Sequence, residues 1–341
     1  MRILVTGGAG YIGRVLVPML VEEGNDVVVL DRLFLNDDDV IKEYSSLGVD
    51  IIRDDVRYFD PSVLKDKNAV VDLAALSNDP SGDLDIIKTW DINYLGRMRV
   101  ARLAKKIGIQ RYIVASSCSV YGFREEVADE STPVNPLTAY AEANVAVESD
   151  NLHLNDRNFT ATALRFATAF GYSKRMRFDI AINGMTLDTF KYRKIRLMRD
   201  GSQYRPFVHV KDISKSIIAT LSANMDDVGG EVFNVGSDEQ NVQLKALAGT
   251  VQKVVNNDSQ IEWYGDPDRR SYRVSFSKIN DRLKFKTEFA IDYGVREIFE
   301  ALENGTLNDT PQTRTVQFYK NLLDAESLIK KYGYGFHGRI L

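Results

Sequence analysis

The first half of the chain alternates between short, wholly apolar runs and longer stretches with helical spacing. "RILVT" comes first, and "VLVPMLVEEG" follows with apolar residues at helical intervals and a closing glycine. "DVVVLD", "VDII", "AVVDLAA" and "RYIVASS" continue the series. Runs rich in β-branched residues, without polar alternation, predict strands buried on both faces. The helical stretches between them predict a parallel sheet covered on each side. One long helix is expected roughly over 83–106 and another roughly over 136–156, followed by a strand at "TATALRF".

After about Gly171 the rhythm changes. "YSKRMRFDIAINGMTLDTFKYRK" is basic and aromatic, with weak strand character. "RPFVHVKDISKSIIATL" predicts a strand entering a helix that returns to the first sheet, and "EVFNVGS" another strand. "VQLKALAGTVQKVV" and "DYGVREIFEALENG" have the spacing of amphipathic helices. The tail, "TVQFYKNLLDAESLIKKYGYGFHGRIL", adds a helix to which the sequence assigns no purpose. The pattern describes an α/β protein: a Rossmann-type doubly wound parallel sheet with a smaller C-terminal α/β domain. The expected division is 1–170 and 171–341, with 206–235 returning to the first part. Without a long linker, the two parts should share one cleft.

Composition narrows the function. With 44% hydrophobic and 27% charged residues, the 341-residue chain is ordinary for a globular protein. A net charge of −4 leaves no basic footprint, so nucleic acid is not an expected partner. The one cysteine, Cys118, excludes an internal disulfide and suggests a reducing compartment. With His153, His209 and His337 scattered, a metal cluster is not expected. Met1 runs straight into a strand pattern, and no apolar run approaches the ~20 residues of a membrane helix. A cytoplasmic enzyme with no membrane association is the expectation.

The chemistry begins at "MRILVTGGAGYIG", which places Gly7, Gly10 and Gly13 after a strand and at a helix start. Glycines let the backbone turn sharply and approach a diphosphate, and the helix N-terminus supplies amide donors. Asp31 ends the second strand, 18 residues after Gly13, where a carboxylate can accept bonds from an adenosine ribose. A carboxylate there disfavours a 2′-phosphate, so NAD is expected rather than NADP, although Arg32 stands next to it.

This glycine spacing resembles that of the short-chain dehydrogenase/reductase superfamily, and the later motifs resemble its extended branch of sugar-nucleotide epimerases and dehydratases. The resemblance covers nearly the whole chain and thins after about Thr310. It implies that Gly7, Gly10, Tyr11, Ile12, Gly13 and Asp31 hold NAD, that "RDDVRY" puts Asp55 and Val56 beside the adenine, and that "VVDLAA" lines the cofactor with Leu73, Ala74 and Ala75. Asn93 of "DINYLG", Ser116 and Phe166 match further cofactor-site positions. Family members commonly dimerise through the two long helices, so a homodimer is implied as well.

"VASSCSVYG" ends a strand at the edge where such sheets bind ligands. By resemblance, Ser117, four residues before the tyrosine of "VYG", hydrogen-bonds the reacting hydroxyl, and Tyr140 is the general base. Resembling 4,6-dehydratases carry Asp-Glu after that serine, and the decarboxylases a glutamate at the second position. Here the pair is Cys118-Ser119, which resembles the 4-epimerases; a 4-dehydrogenase is the enzyme alternative.

Asn144, one helical turn after Tyr140, stands where the family pattern has a lysine that lowers the tyrosine's pKa and bonds the nicotinamide ribose. Asparagine can still bond the ribose, so Asn144 belongs with Tyr140 in the catalytic and cofactor sets, but it supplies no charge. The enzyme can be natural and slow, or rescued by a cation from elsewhere. The asparagine can also be a deliberate change, or mark a chain that binds NAD and nucleotide sugar without turnover. On the sequence alone, replacing Asn144 with lysine should raise activity.

On the substrate side, the resemblance implies a nucleotide-diphosphate sugar. Thr168, Asn183 and Arg205 match residues that contact it, and Arg270 of "DPDRRSYRV" matches a second diphosphate ligand.

Overall fold

The computed structural model describes residues 1–35, 38–266 and 271–332. Its main sheet has seven parallel strands: β1 (Arg2–Thr6), β2 (Asp26–Asp31), β3 (Asp50–Arg53), β4 (Ala69–Asp72), β5 (Arg111–Ser117), then Thr160–Phe166 and Val232–Val235. In space the order is β3, β2, β1, β4, β5, then those last two. β1 pairs with β2 on one side and β4 on the other, Ile3 facing both Val27 and Ala69. The chain therefore reverses its direction of travel across the sheet at β1. A crevice opens above the carboxyl ends of β1 and β4, where doubly wound sheets bind ligands.

The strands read as continuous apolar runs because both faces are covered. Leu4, Val70 and Val114 pack on one side with Met98, Ala101 and Val147. Ile3, Val5, Val29 and Val71 pack on the other with Leu16, Val17, Ile213 and Ile217. Burying each such side chain is worth about 1.5–3 kcal/mol, which keeps the crevice on a rigid floor. The helix Val210–Ser222 lies against the first helix, Gly13–Glu22, and leads to the last strand of the sheet.

The helix expected over 83–106 is divided. Ile86–Trp90 and Arg97–Ile107 are α-helical, and Asp91–Gly96 between them forms a π-helical turn. Such turns insert an extra residue and are frequent at functional sites. The second long helix runs Ala139–His153, with Thr138 as its N-cap accepting from the Ala141 N–H at 3.2 Å.

From Thr168 on, a smaller lobe forms around a three-stranded sheet. Tyr204–His209 pairs in parallel with Thr168–Phe170 and antiparallel with Asn241–Gln243. Helices Ala181–Tyr192, Leu244–Val255 and Ile291–Glu303 pack around Phe170, Ile182, Leu247, Val251 and Val295. The weak strand character of "YSKRMRFDIAINGMTLDTFKYRK" is thus corrected: most of its second half is helix, and the strand Lys194–Met198 follows it. Buried Ile182, Met185, Thr186 and Thr189 recur at three- and four-residue steps, which a helix satisfies and a strand does not. A final helix, Thr315–Tyr332, crosses back to the first lobe, where Glu326 pairs with Lys88 at 2.9 Å. No helix among the described residues is long and apolar enough to cross a membrane.

Candidate active site

A cleft of about 450 Å³ lies over the switch point, between the lobes. Its floor is the glycine turn. Gly7 has φ +66°, and a Cβ there would sit 2.9 Å from the Ala74 backbone. At Gly13 a Cβ would sit 2.2 Å from the Gly8 carbonyl oxygen, so glycine alone lets the helix start this close to the strand. The first turn of that helix carries no acidic residue, which leaves its amide donors suited to an anion.

Asp31 lines the cleft at the end of β2. Its two carboxylate oxygens accept from the Ala9 N–H at 3.0 Å and the Leu33 N–H at 2.8 Å. Burial raises its pKa. The guanidinium of neighbouring Arg32 is drawn to Asp55 at 2.7 Å. Asp55, Val56, Leu73, Ala74, Ala75, Ser116 and Phe166 complete one wall, joined at the floor by Gly10, Tyr11 and Ile12. Asn93 is buried behind that wall: it accepts from the Leu76 N–H at 2.8 Å and donates to the Leu76 carbonyl at 3.1 Å. The π-helical turn aims it there, so Asn93 braces the loop after β4.

Ser117 ends β5, lines the cleft, and accepts from the Ser119 N–H at 3.1 Å. It therefore caps a short turn while facing Tyr140, which lies in the first turn of its helix. Burial pushes the Tyr140 phenol up and the Asp79 carboxylate adds to this, while Asn144, Ser117 and Arg97 pull the other way. Asn144 is buried beneath Tyr140. Cys118 faces the core, its thiol donating to the Arg165 carbonyl at 3.3 Å, and burial pushes that thiol up. Ser119 lines the cleft, and its buried hydroxyl has no hydrogen-bond partner. Under this floor, Ser116 donates to Glu148, which pairs with Arg165 at 2.7 Å.

Across the cleft stand Thr168 and Arg205, whose guanidinium lies 5.3 Å from the Tyr272 ring centre. Asn183 is buried outside it: its side chain accepts from the Gly171 N–H at 3.1 Å and donates to the Tyr11 hydroxyl at 3.2 Å. It thereby ties the smaller lobe to the glycine turn. Arg270 lies outside the described residues.

A family model described as "NAD dependent epimerase/dehydratase family" matches residues 3–236. The chain belongs to that family. It is 26% identical over 91% of its length to UDP-glucuronic acid decarboxylase 1 of Arabidopsis thaliana, covering 71% of that protein. It is also 26% identical over 89% of its length to a putative UDP-glucose 4-epimerase of Methanocaldococcus jannaschii, covering 98% of it. Among solved structures, MoeE5 in complex with UDP-glucuronic acid and NAD superposes with a TM-score of 0.80 at 27% identity, over 89% of this chain and all (100%) of that one.

The cofactor of this NAD dependent epimerase/dehydratase family member is NAD, and the cleft fits it. A glycine cradle with room for no Cβ, a helix N-terminus without acidic residues, and the Asp31 carboxylate at the end of β2 lining the cleft match a dinucleotide. A further feature escaped the sequence reading. Arg175 lines the cleft, is 6% exposed, and has a buried Nε with no hydrogen-bond partner. Burial pulls its guanidinium down to about 10. A buried cation with a spare donor suits an anionic group. Arg177 beside it donates to Ser77 Oγ at 2.8 Å and pairs with Asp179. Thr315 and Tyr319 of the final helix close the cleft from above, with Thr315 Oγ1 accepting from Arg175 at 2.8 Å. The basic run "KRMRFD" was the available signal for the arginines. For the final helix there was none, because only the fold brings it over the cleft.

Proposed function

We propose that the protein is an NAD-dependent nucleotide-sugar 4-epimerase. The observation that carries this reading is the uncharged edge of the reacting centre. Ser117 and Tyr140 share the cleft, while the next two positions are a thiol turned into the core and the small hydroxyl of Ser119. Eliminating water, as the resembling dehydratases do, calls for an additional acid and base, and no carboxylate stands at either position.

The residues then divide the work. Tyr140 takes the proton of the sugar's C4 hydroxyl and later returns it. Ser117 hydrogen-bonds the same oxygen and holds it against the phenol. Bound NAD supplies the acceptor, and afterwards the donor, of the C4 hydride. Arg205 holds the diphosphate, since a guanidinium bonds two of its oxygens at once, and Thr168 offers one further hydroxyl. Epimerisation then requires the 4-keto sugar to present its other face before the proton is returned.

We also propose a homodimer, formed on the helix pair that leaves Ile87 and Leu95 exposed. Light scattering tests that part.

The test of activity is incubation of the NAD-loaded protein with UDP-glucose, UDP-glucuronic acid and other nucleotide sugars, followed by product analysis and absorbance in the reduced-nicotinamide band. Interconversion of C4 epimers without lasting absorbance is expected. Lasting absorbance with released keto sugar would make it a dehydrogenase, loss of CO₂ a decarboxylase, and binding without change a non-catalytic protein. Each overturns the reading.

A further inference from the structure

Arg97 is the first residue of its helix and is 1% exposed. Its Nε pairs with Asp72 Oδ2 at 3.0 Å, and Nη2 donates to the carbonyls of Asp72 at 3.2 Å and Ala115 at 2.6 Å. The remaining nitrogen, Nη1, donates to Asn144 Oδ1 at 3.4 Å. Thr6 and Tyr112 complete the Asp72 carboxylate at 2.6 and 2.7 Å.

This contact fixes the asparagine. A guanidinium has donors only, so it selects the oxygen end of the amide and turns the nitrogen end away. That nitrogen, Asn144 Nδ2, is buried and has no hydrogen-bond partner. Tyr140 stands one turn earlier on the same helix, so the phenol and this amide share a face; the amide, Ser117 and the charge of Arg97 all favour the ionised phenol. Asp79 opposes ionisation, and Arg177 is the other arginine coupled to this phenol. Donation into an amide oxygen polarises its N–H groups and strengthens what they donate to.

We propose that Arg97 and Asn144 act as one unit, in which a buried guanidinium orients and polarises the asparagine amide so that its N–H supports the Tyr140 phenolate. Arg97 is then a positioning residue that acts through Asn144. The unit also closes position 144 to a cation. A lysine there would bring an ammonium against a guanidinium already held by Asp72, whose carboxylate also accepts from Thr6 and Tyr112. The expectation from the sequence, that lysine at 144 raises activity, is thereby reversed. This proposal rests on Tyr140 being the base.

The test is a double-mutant cycle on the NAD-loaded enzyme, with Asn144→Lys, Arg97→Met and their combination, plus Arg97→Lys as the variant that keeps a charge on Asp72 and loses the fork. Melting temperature is the first readout. Asn144→Lys alone should melt several degrees lower than the parent, and adding Arg97→Met should recover part of that loss. Ionisation of Tyr140 is the second, followed by NMR of tyrosine labelled at Cζ and assigned with Tyr140→Phe. Arg97→Met, or Arg97→Lys should the former not fold, should move that ionisation to higher pH. In the epimerase assay the same variants should move the acidic, rising limb of kcat, which reports ionisation of the base, to higher pH with little change in KM, and Asn144→Lys should lose activity at least tenfold. An Asn144→Lys enzyme as stable as the parent and faster, or a Tyr140 titration unmoved by the Arg97 variants, would overturn the proposal. The melting and NMR readouts need no substrate, so a failed epimerase assay with an intact cycle counts against the proposed function alone.

Discussion

Gly82 lies against Tyr140 with no room for a side chain: a Cβ built at Gly82 would come within 2.8 Å of the Tyr140 Cβ and 3.1 Å of its backbone nitrogen. The short helix Asp79–Gly82 thus sets how deep the tyrosine sits, and Asp79 joins the arrangement by accepting from the helix cap Thr138 at 2.6 Å.

Gly82→Ala must therefore displace the start of the Tyr140 helix. Overpacking of this kind costs about 1–3 kcal/mol. A misplaced base costs on the order of 10²-fold in rate. The variant should still fold, with kcat lowered much more than NAD affinity. Thermal melts, cofactor titration and steady-state kinetics check this.

Asp31 has one oxygen on each of two loop amides and borders the cleft, so its charge is felt by whatever binds at the ribose end. Asp31→Asn keeps one acceptor and loses the charge. NAD affinity should fall about tenfold or more, the scale of a bond to a charged group. The ratio of NAD to NADP affinity should narrow in the same titrations, which a purely structural effect would leave alone.

Arg175 brings the final helix into the cofactor site through Thr315. Arg175→Met should weaken NAD binding by roughly tenfold, as expected for loss of a charge-assisted bond. Thr315→Val should have a smaller effect in the same direction. Fluorescence titration with NAD measures both.

Acid stability is set partly in the smaller lobe. Burial alone would raise the Glu297 carboxyl, but bonds from His209, the Tyr172 N–H and Lys211 outweigh it and hold it below the ordinary glutamate range. His209 Nε2 and the Tyr172 N–H each lie 2.6 Å from Glu297 Oε1. A carboxyl with a lowered native pKa stabilises the fold above its unfolded pKa of about 4.3, and that contribution is lost as pH falls through the native value. Melting temperature should drop on that acid limb. Glu297→Gln should melt lower at neutral pH and show a flatter limb.

Much of this was legible in the residues. Glycine spacing, Asp31 and the continuous β-branched runs determine the first lobe, because local sterics and two-sided burial leave few other folds. The candidate pair Ser117 and Tyr140 was readable through the family resemblance, and the fold brings both to the cleft because Ser117 ends a strand and Tyr140 opens a helix. Asn93 and Asn183 were harder. Both sit near the cleft, yet each spends its amide bracing backbone, and only the π-helical turn and the path of the smaller lobe reveal it. The partner of Asn144 was out of reach of sequence spacing, since Arg97 is 47 positions away in the chain and meets it only through helix packing.

The most direct measurement is turnover and binding by Tyr140→Phe. The substitution removes the hydroxyl and keeps the ring. NAD and nucleotide sugar should bind as they do to the parent, while kcat for C4 interconversion falls by about 10²–10⁴-fold, the usual contribution of a general base. A Tyr140→Phe enzyme that interconverts the sugars at the parent rate would contradict the account.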